Sequence, residues 1–475
     1  MDAKLAAFLN PQSVAVIGAS ERPDAWGSFV MRSMLSVNFP GKIYPVNRQA
    51  ETVYGIRAYH DLADIPDPVD LAIVAVPDRY VEDTIRLCGS RGVKGITIIT
   101  AGFGETSEEG KIRQTSLPAL TGSHGTRLLG PNVSGTFNLH AGFNGSGTPA
   151  NNLLPSPLSA VCQGGYAFYD MLSSGWARKM GVGKFIHTGN ECDVTITDFL
   201  EYFGHDPETK AIVMYIEAVR DGRRFMQVAR ETTKRKPVIV YKAGKTAGGS
   251  RAARSHTGAM AGPYQVYRGL LRQAGIIVSP AMEMLLPLGH ALVEKPIMRG
   301  NRVGIITVGG SWGVSLTDAL EEAGLVVPEF SLKLQQKLRD VGLPDRASTR
   351  NPVDFGASGL FIHLDVPQAL GRQMLNSGEI DALIIHGFGR PGIHNENTSD
   401  EDRLFAEVEK GQLQSVQALE QELDKPVIIG SYYNPWESQV MSELNQEGVR
   451  VYNRLHDIAW LLAGMKEYGG EKGNG

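Results

Sequence analysis

This 475-residue chain is short of the features that mark special environments. It has three cysteines, Cys88, Cys162 and Cys192, which cannot all pair and whose spacing holds no metal-ligand set, so a reduced compartment is expected and no metal is read. No run of about 18 apolar residues exists to span a bilayer. The amino terminus lacks the basic, apolar and small-residue succession of an export signal, so the chain is read as cytoplasmic with no membrane partner. Net charge is only -4, from 47 basic and 51 acidic residues, and so provides no global field for nucleic acid. A dinucleotide fingerprint is also missing. The turn after the first apolar run reads Gly18-Ala19-Ser20-Glu21-Arg22, not Gly-x-Gly-x-x-Gly, and no acid follows the second run, Tyr44-Pro45-Val46-Asn47-Arg48. That disfavours an NAD dehydrogenase. Arg48, facing a ribose phosphate, keeps an NADP-dependent oxidoreductase as a competing reading.

Glycine, by contrast, is abundant. The 55 glycines fall mostly where strands turn into helices, the places where α/β proteins meet phosphates and nucleotides. The length predicts roughly three units. Runs apolar on both faces (SVAVIG, KIYPV, LAIVAV, GITIIT, RLLG) alternate with helix-length segments, which predicts a Rossmann-like parallel domain over residues 1–145. A second α/β alternation over 150–297 contains helices near 166–180 and 194–203. A third over 298–466 starts at RVGIITVGG, with a helix near 314–323. Both are expected to be flavodoxin-like three-layer units, and residues 467–475 a flexible polar tail.

The chemistry concentrates in Ser255-His256-Thr257-Gly258-Ala259, inside a glycine- and arginine-rich run from Gly244 to Gly262. A histidine among small residues, preceded by Arg251 and Arg254, is placed to meet an anion closely and looks phosphorylatable. Such a nucleophile attacks with a neutral ring nitrogen and needs a carboxylate on the other. Glu217, at the end of AIVMYIE, is the best candidate, against a salt bridge to Arg220 or Arg223. Backbone amides at a helix amino terminus suit the phosphate, and Cys162-Gln163-Gly164-Gly165 provides such a turn, with Gln163, Gly164 and Gly165 as phosphate-binding residues. Cys162 is either a reactive thiol or a small buried side chain. Lys234, Arg235 and Lys236 read as a solvated helix end. Tyr166, Phe168 and Tyr169 either admit a bulky acid or are core residues.

VAVIGAS (14–20), IYPVN (43–47), VPD (76–78), TAGFGE (100–105) and LLGPNVSG (128–135) resemble the CoA-binding domain of NDP-forming acyl-CoA synthetases and succinyl-CoA synthetase α subunits. The resemblance implies that Gly18, Ser20, Pro45, Asn47, Val76, Pro77, Ala101, Gly102 and Asn132 bind CoA; Arg48 joins them as a cofactor-binding candidate. MYIEAVRDGRRF is similar to the family segment with a catalytic glutamate, which gives Glu217 a second warrant beside His256. Departures stand at Val133, at Cys162 and Gly164, and at Trp312 in Gly309-Gly310-Ser311-Trp312-Gly313, where relatives show a GGPG-like loop. The family's ATP-grasp module is absent. The resemblance therefore implies an α subunit of an acid–CoA ligase that uses inorganic phosphate and a small carboxylic acid. ATP or ADP with Mg2+ would be held by an ATP-grasp β subunit in a hetero-oligomer, and the His256 loop would swing between the two sites. A non-catalytic CoA or acyl-CoA sensor remains the alternative.

Overall fold

Strands that are apolar on both faces need cover on both faces, and in the computed structural model the chain builds three sheets of this kind, each flanked by helices. The structure describes residues 3–148, 153–257, 263–356, 363 and 365–472, without the side chains of 3, 124, 166, 167, 173, 174, 254–257, 471 and 472. The chain divides into two compact units, Met1–Trp176 with Met180–Gly289, and Ala177–Lys179 with His290–Gly475. No helix among the described residues is long and apolar enough to cross a membrane.

The first unit holds two of these sheets, besides a two-stranded ribbon of Thr52–Val53 and Ile56–Arg57. One has five parallel strands in the spatial order Lys42–Val46, Ser13–Ile17, Leu71–Val74, Gly95–Ile98, Arg127–Leu129. In the other, the parallel strands run Ile277–Val278, Val238–Lys242, Ala211–Ile216, Leu158–Cys162, Lys184–His187. Numbered along the chain, both orders are 2-1-3-4-5. The switch point therefore falls between the first and third strands, where a crevice opens at their carboxyl ends.

The expected boundary at residue 145 needs correcting. Thr136–Asn138 and Phe143–Asn144 extend the second sheet as antiparallel strands, because Phe137 is buried and stacks on Phe185 at 5.3 Å. Thr136 also bonds Phe8 O at 2.7 Å, and Phe8 meets Phe199 edge-on, so one apolar core serves both sheets. A bidentate Arg127–Asp193 pair, with Leu128 N–H donating to Asp193 at 2.9 Å, fastens the last strand of the first sheet to the loop after Lys184–His187.

The second unit has one parallel sheet, Val353–Asp354, Val303–Thr307, Ala382–His386, Val427–Gly430, Val451–Tyr452, again ordered 2-1-3-4-5. It begins before the expected residue 298. His290 and Glu294 bind each other, and Arg450 binds Glu294 as well as the carbonyls of Arg178 and Lys179. The expected tail also differs. The helix Leu455–Lys472 runs through it because Gly469 lets the helix approach the Met298 carbonyl, which a Cβ there would meet at 1.9 Å; 473–475 lie outside the described residues. Lys236 is no solvated helix end: its ammonium donates to Phe203 O at 2.7 Å and to Asp206 O, and burial pushes its pKa down.

Candidate active site

At the switch point of the first sheet lies a cleft of about 430 Å³ lined by Gly18, Ser20, Asn47, Arg48, Val76 and Pro77, with Arg22 and Tyr80. Gly18 has φ +93°, and a Cβ there would stand 2.4 Å from Ala75 O. Its N–H and that of Ala19 both donate to Val46 O. The first two amides of the turn are thus spent on its own backbone. Asn47 organises the loop from the second strand: its amide donates to Ala19 O at 2.7 Å and its oxygen accepts from Gln49 and Ala50 N–H. That sets Arg48 over the Tyr80 ring at 4.6 Å, while Arg79 lies 4.9 Å from the same ring. The Arg79 hydrogen bond and charge, with Arg48 adding to them, hold the phenol below its ordinary pKa. Two expected members stand elsewhere. Pro45 is buried within its strand and its carbonyl accepts from Tyr59. Gly102 donates its N–H to Glu105 at 2.6 Å and does not line the cleft.

A cavity of about 770 Å³ opens at the switch point of the second sheet and is walled by Asn132, Gly164, Gly165, Tyr215 and Glu217. Ala75 and Val76 line both this cavity and the cleft; Ala101 and Val133 line the cavity. Glu217 caps the strand Ala211–Ile216 and is 4% exposed. Its backbone N–H is taken by Gln163 Oε1 at 2.6 Å, and burial together with the Glu217 charge raises the pKa of the neighbouring Tyr215 phenol. The expected alternative pairing with Arg220 is not the arrangement seen, since Arg220 donates to Asn190 O and lies 3.8 Å from Glu191 Oε2.

Gly164 and Gly165 precede the helix Tyr166–Ala177, and among the described residues their N–H groups have no partner, which suits an anion. Gln163 is different. Its N–H is spent on Tyr215 O, and its side chain bridges Glu217 and Ala218 N–H to Glu191 and Ala218 O, so it braces the turn rather than supplying an amide. Cys162 is fully buried, and desolvation pushes its thiol pKa far up, so it is the small buried side chain and no reactive thiol.

The run read as a glycine-rich loop is helical from Ala247 to Thr257, and Gly249, Ala252 and Ala253 on that helix line the cavity. Position 256 follows on the same helical face. The His256 and Arg254 side chains lie outside the described residues, as do Gly258–Gly262, and Arg251 is exposed. Phe168 lines the cavity. Tyr169 does not: it is buried with its hydroxyl on Ser134 O, and the Tyr166 side chain is undescribed. Trp312 is half-buried in the second unit beside His386 and Tyr432, at ring distances of 5.2 and 5.6 Å.

Sequence reasoning missed four residues here. His187 Nδ1 accepts from Ser134 N–H at 2.8 Å, so its proton sits on Nε2 and goes to Gln163 O, holding the ring neutral under Gly165. Glu191 is buried, and desolvation raises its pKa to about 6 against the bonds from Gln163, Thr188 and Ile196. Tyr215 stands two residues before Glu217, a spacing that shares a strand face and was readable. Lys242 ends the neighbouring strand paired to Ile216, a register visible only once the sheet order is known. No group of three or more His, Cys, Asp or Glu side chains among the described residues is arranged to hold a metal ion.

Residues 12–136 match the CoA binding domain family and residues 155–292 the succinyl-CoA ligase-like flavodoxin domain family. The chain is 41% identical over 351 residues to the α subunit of an ADP-forming acetate–CoA ligase II of Pyrococcus furiosus, covering 74% of this chain and 76% of that one. It is 36% identical to an ADP-forming acetate–CoA ligase of Methanocaldococcus jannaschii over 73% of this chain, a match that spans 48% of that longer protein. Among solved structures, an acetyl-coenzyme A synthetase of Candidatus Korarchaeum cryptofilum in complex with phosphate and ADP superposes with a TM-score of 0.85 at 30% identity, covering all of both chains.

Proposed function

The chain belongs to the family of ADP-forming acyl-CoA ligase α subunits, and from this we propose that its first unit interconverts acyl-CoA, phosphate and ADP with carboxylic acid, CoA and ATP through a phosphorylated His256. A phosphate oxygen adds to the thioester carbonyl; the C–S bond breaks, and CoA leaves as acyl phosphate forms. A ring nitrogen of His256 then takes the phosphoryl group, the P–O bond to the acyl oxygen breaks, and the carboxylate leaves. ADP accepts the phosphoryl group on an ATP-grasp β subunit, which holds the nucleotide and Mg2+ in a hetero-oligomer. The three cysteines are free, which suits a reduced cytoplasm.

CoA fits the residues present. The cleft offers Arg48 and Arg22 to phosphates, and Ala75 and Val76 lead from it into the cavity, where a thiol would meet Asn132. Gly164 and Gly165 N–H groups receive the phosphate, and Glu217 holds the proton on the histidine nitrogen that does not react, fixing its tautomer and balancing the charge that develops. The work is positioning and electrostatic screening more than proton transfer at a special pKa. Phe168 on the cavity wall limits the acid to groups that fit beside its ring.

One observation carries this reading above the others. The buried Glu217 carboxylate, the two glycine amides without a partner among the described residues and the helical face bearing position 256 share one cavity that adjoins the cleft. Neither an NADP enzyme nor a sensor has a use for a buried carboxylate beside an anion cradle in the cavity that adjoins the cleft. Calorimetric titration with CoA and with NADPH tests the ligand; saturation by CoA alone is expected, and saturation by NADPH alone would overturn the proposal. Acid-labile labelling from an acyl-CoA and radioactive phosphate tests the chemistry. It should disappear in His256→Asn.

A further inference from the structure

Glu217 is held from two sides by groups that no comparison assigns. On its own strand and on the same face, Tyr215 lines the cavity beside Glu217, whose charge adds to burial in raising the phenol pKa, and its ring stacks on Tyr241 at 5.8 Å. Gly164 makes room for it, since a Cβ there would come within 3.0 Å of the Tyr215 ring and 3.5 Å of Glu217 Oε1. On the adjacent strand, Lys242 is among the largest fully buried side chains of the chain, at 1% exposure. Its ammonium has a bond to Ala243 O at 2.6 Å, lies 4.7 Å from the centre of the Tyr267 ring, and is attracted by the Glu217 charge. Tyr267 in turn accepts Val219 N–H from the loop just after Glu217.

A buried ammonium with so few partners is costly unless a carboxylate compensates it. The strand that ends in Lys242 also leads, through the Gly244 turn, into the helix that carries position 256. Resting on the reading of Glu217 above, we propose that Tyr215 and Lys242 are the positioning pair of the phosphorylation site: Tyr215 confines the Glu217 carboxylate beside it in the cavity, and Lys242, buried on the adjacent strand against Tyr267, holds the Val219 loop just after Glu217 and the stem of the helix that carries position 256. Neither touches the reacting atoms. Both act through Glu217.

The experiment is single-turnover labelling of the full chain by radioactive phosphate, using whichever of acetyl-CoA and phenylacetyl-CoA labels the wild type faster. Tyr215→Phe should slow the rate constant about tenfold and Lys242→Met about a hundredfold, the range of a lost buried polar contact and a lost buried charge. The labelled amplitude, the CoA affinity and the acyl-CoA KM should stay within about twofold of wild type, which a merely structural role would not allow. In a Glu217→Gln background both changes should cost nothing more. Either variant labelling at the wild-type rate, or slowing the Glu217→Gln background further, overturns the assignment for that residue. If Lys242→Met fails to fold, Tyr215→Phe decides alone. Wild-type rates in Glu217→Gln, or no labelling of the wild type by either thioester, would instead overturn the reading of the site on which the pair rests.

Discussion

The second sheet of the first unit and the sheet of the second unit have the same strand order and the same switch point, yet their carboxyl edges differ in charge. In the first, the third strand ends in Glu217, the fourth in Lys242, and the turn after the first strand is Gln163-Gly164-Gly165. In the second, the third strand ends in His386, the fourth in Gly430, and the turn is Gly309-Gly310. His386 is 1% exposed, its Nδ1 has no partner among the described residues, and burial lowers its pKa to about 4, so it stays neutral under a Trp312 ring at 5.2 Å. Asp354 Oδ2 already stands 2.8 Å from where a Gly310 Cβ would be, which gives that helix start an anion of its own chain. One topology therefore hosts two edges. The first keeps a buried carboxylate beside open amides, and the second packs the His386, Trp312 and Tyr432 rings over its edge. Strand order decides where a site can be, and the residues that end the strands decide whether there is one.

The largest contrast should come from matched changes at the third strand. Glu217→Gln should lower turnover on the order of 10³-fold, whereas His386→Gln should cost less than about tenfold; equal losses, read from steady-state rates, would erase the distinction. The opposite ends of the sheets should behave alike. Lys184 pairs with Asp206 at 2.5 Å and Lys295 with Glu420 at 2.8 Å, all four nearly or fully buried. Breaking either with methionine should cost about 3 kcal/mol, as measured by denaturant unfolding.

His386 adds a pH signature of similar size to the second unit. Its folded pKa lies below its ordinary 6.5, so its contribution is present above pH 6.5 and is lost as pH falls toward 4. The loss should amount to about 3 kcal/mol, and His386→Leu should flatten that part of the stability profile. The smallest effect belongs to the first sheet. Arg48→Ala should weaken CoA binding by about tenfold, with a shallower salt dependence than wild type in calorimetry.

Much of this was legible beforehand. Alternating apolar runs announced the parallel sheets, and Glu217 and Gly164-Gly165 were readable because a carboxylate ending a strand and glycines opening a helix are local patterns. Pro45 and Gly102 do not line the cleft, because adjacency to a motif does not say which way a backbone faces; one is locked inside a strand and the other spends its N–H on Glu105. Gln163 was assigned an amide role that its sheet pairing had already consumed. Lys242 and His187 were invisible for a different reason. Their meaning depends on which strands become neighbours, and no window of sequence contains both partners.

Ala75 and Val76 form the wall shared by the nucleotide cleft and the reaction cavity. In the proposed reaction they would be the fixed mark of a ruler: CoA gripped at its nucleotide end would reach past them by a length set by its own covalent chain, and the distant grip would aim the thioester carbon at Glu217 and the glycine amides. Shortened thiols without the nucleotide lose that calibration. Their deficit falls on the rate of the chemical step as well as on affinity, because the energy of the far end is spent at the near one.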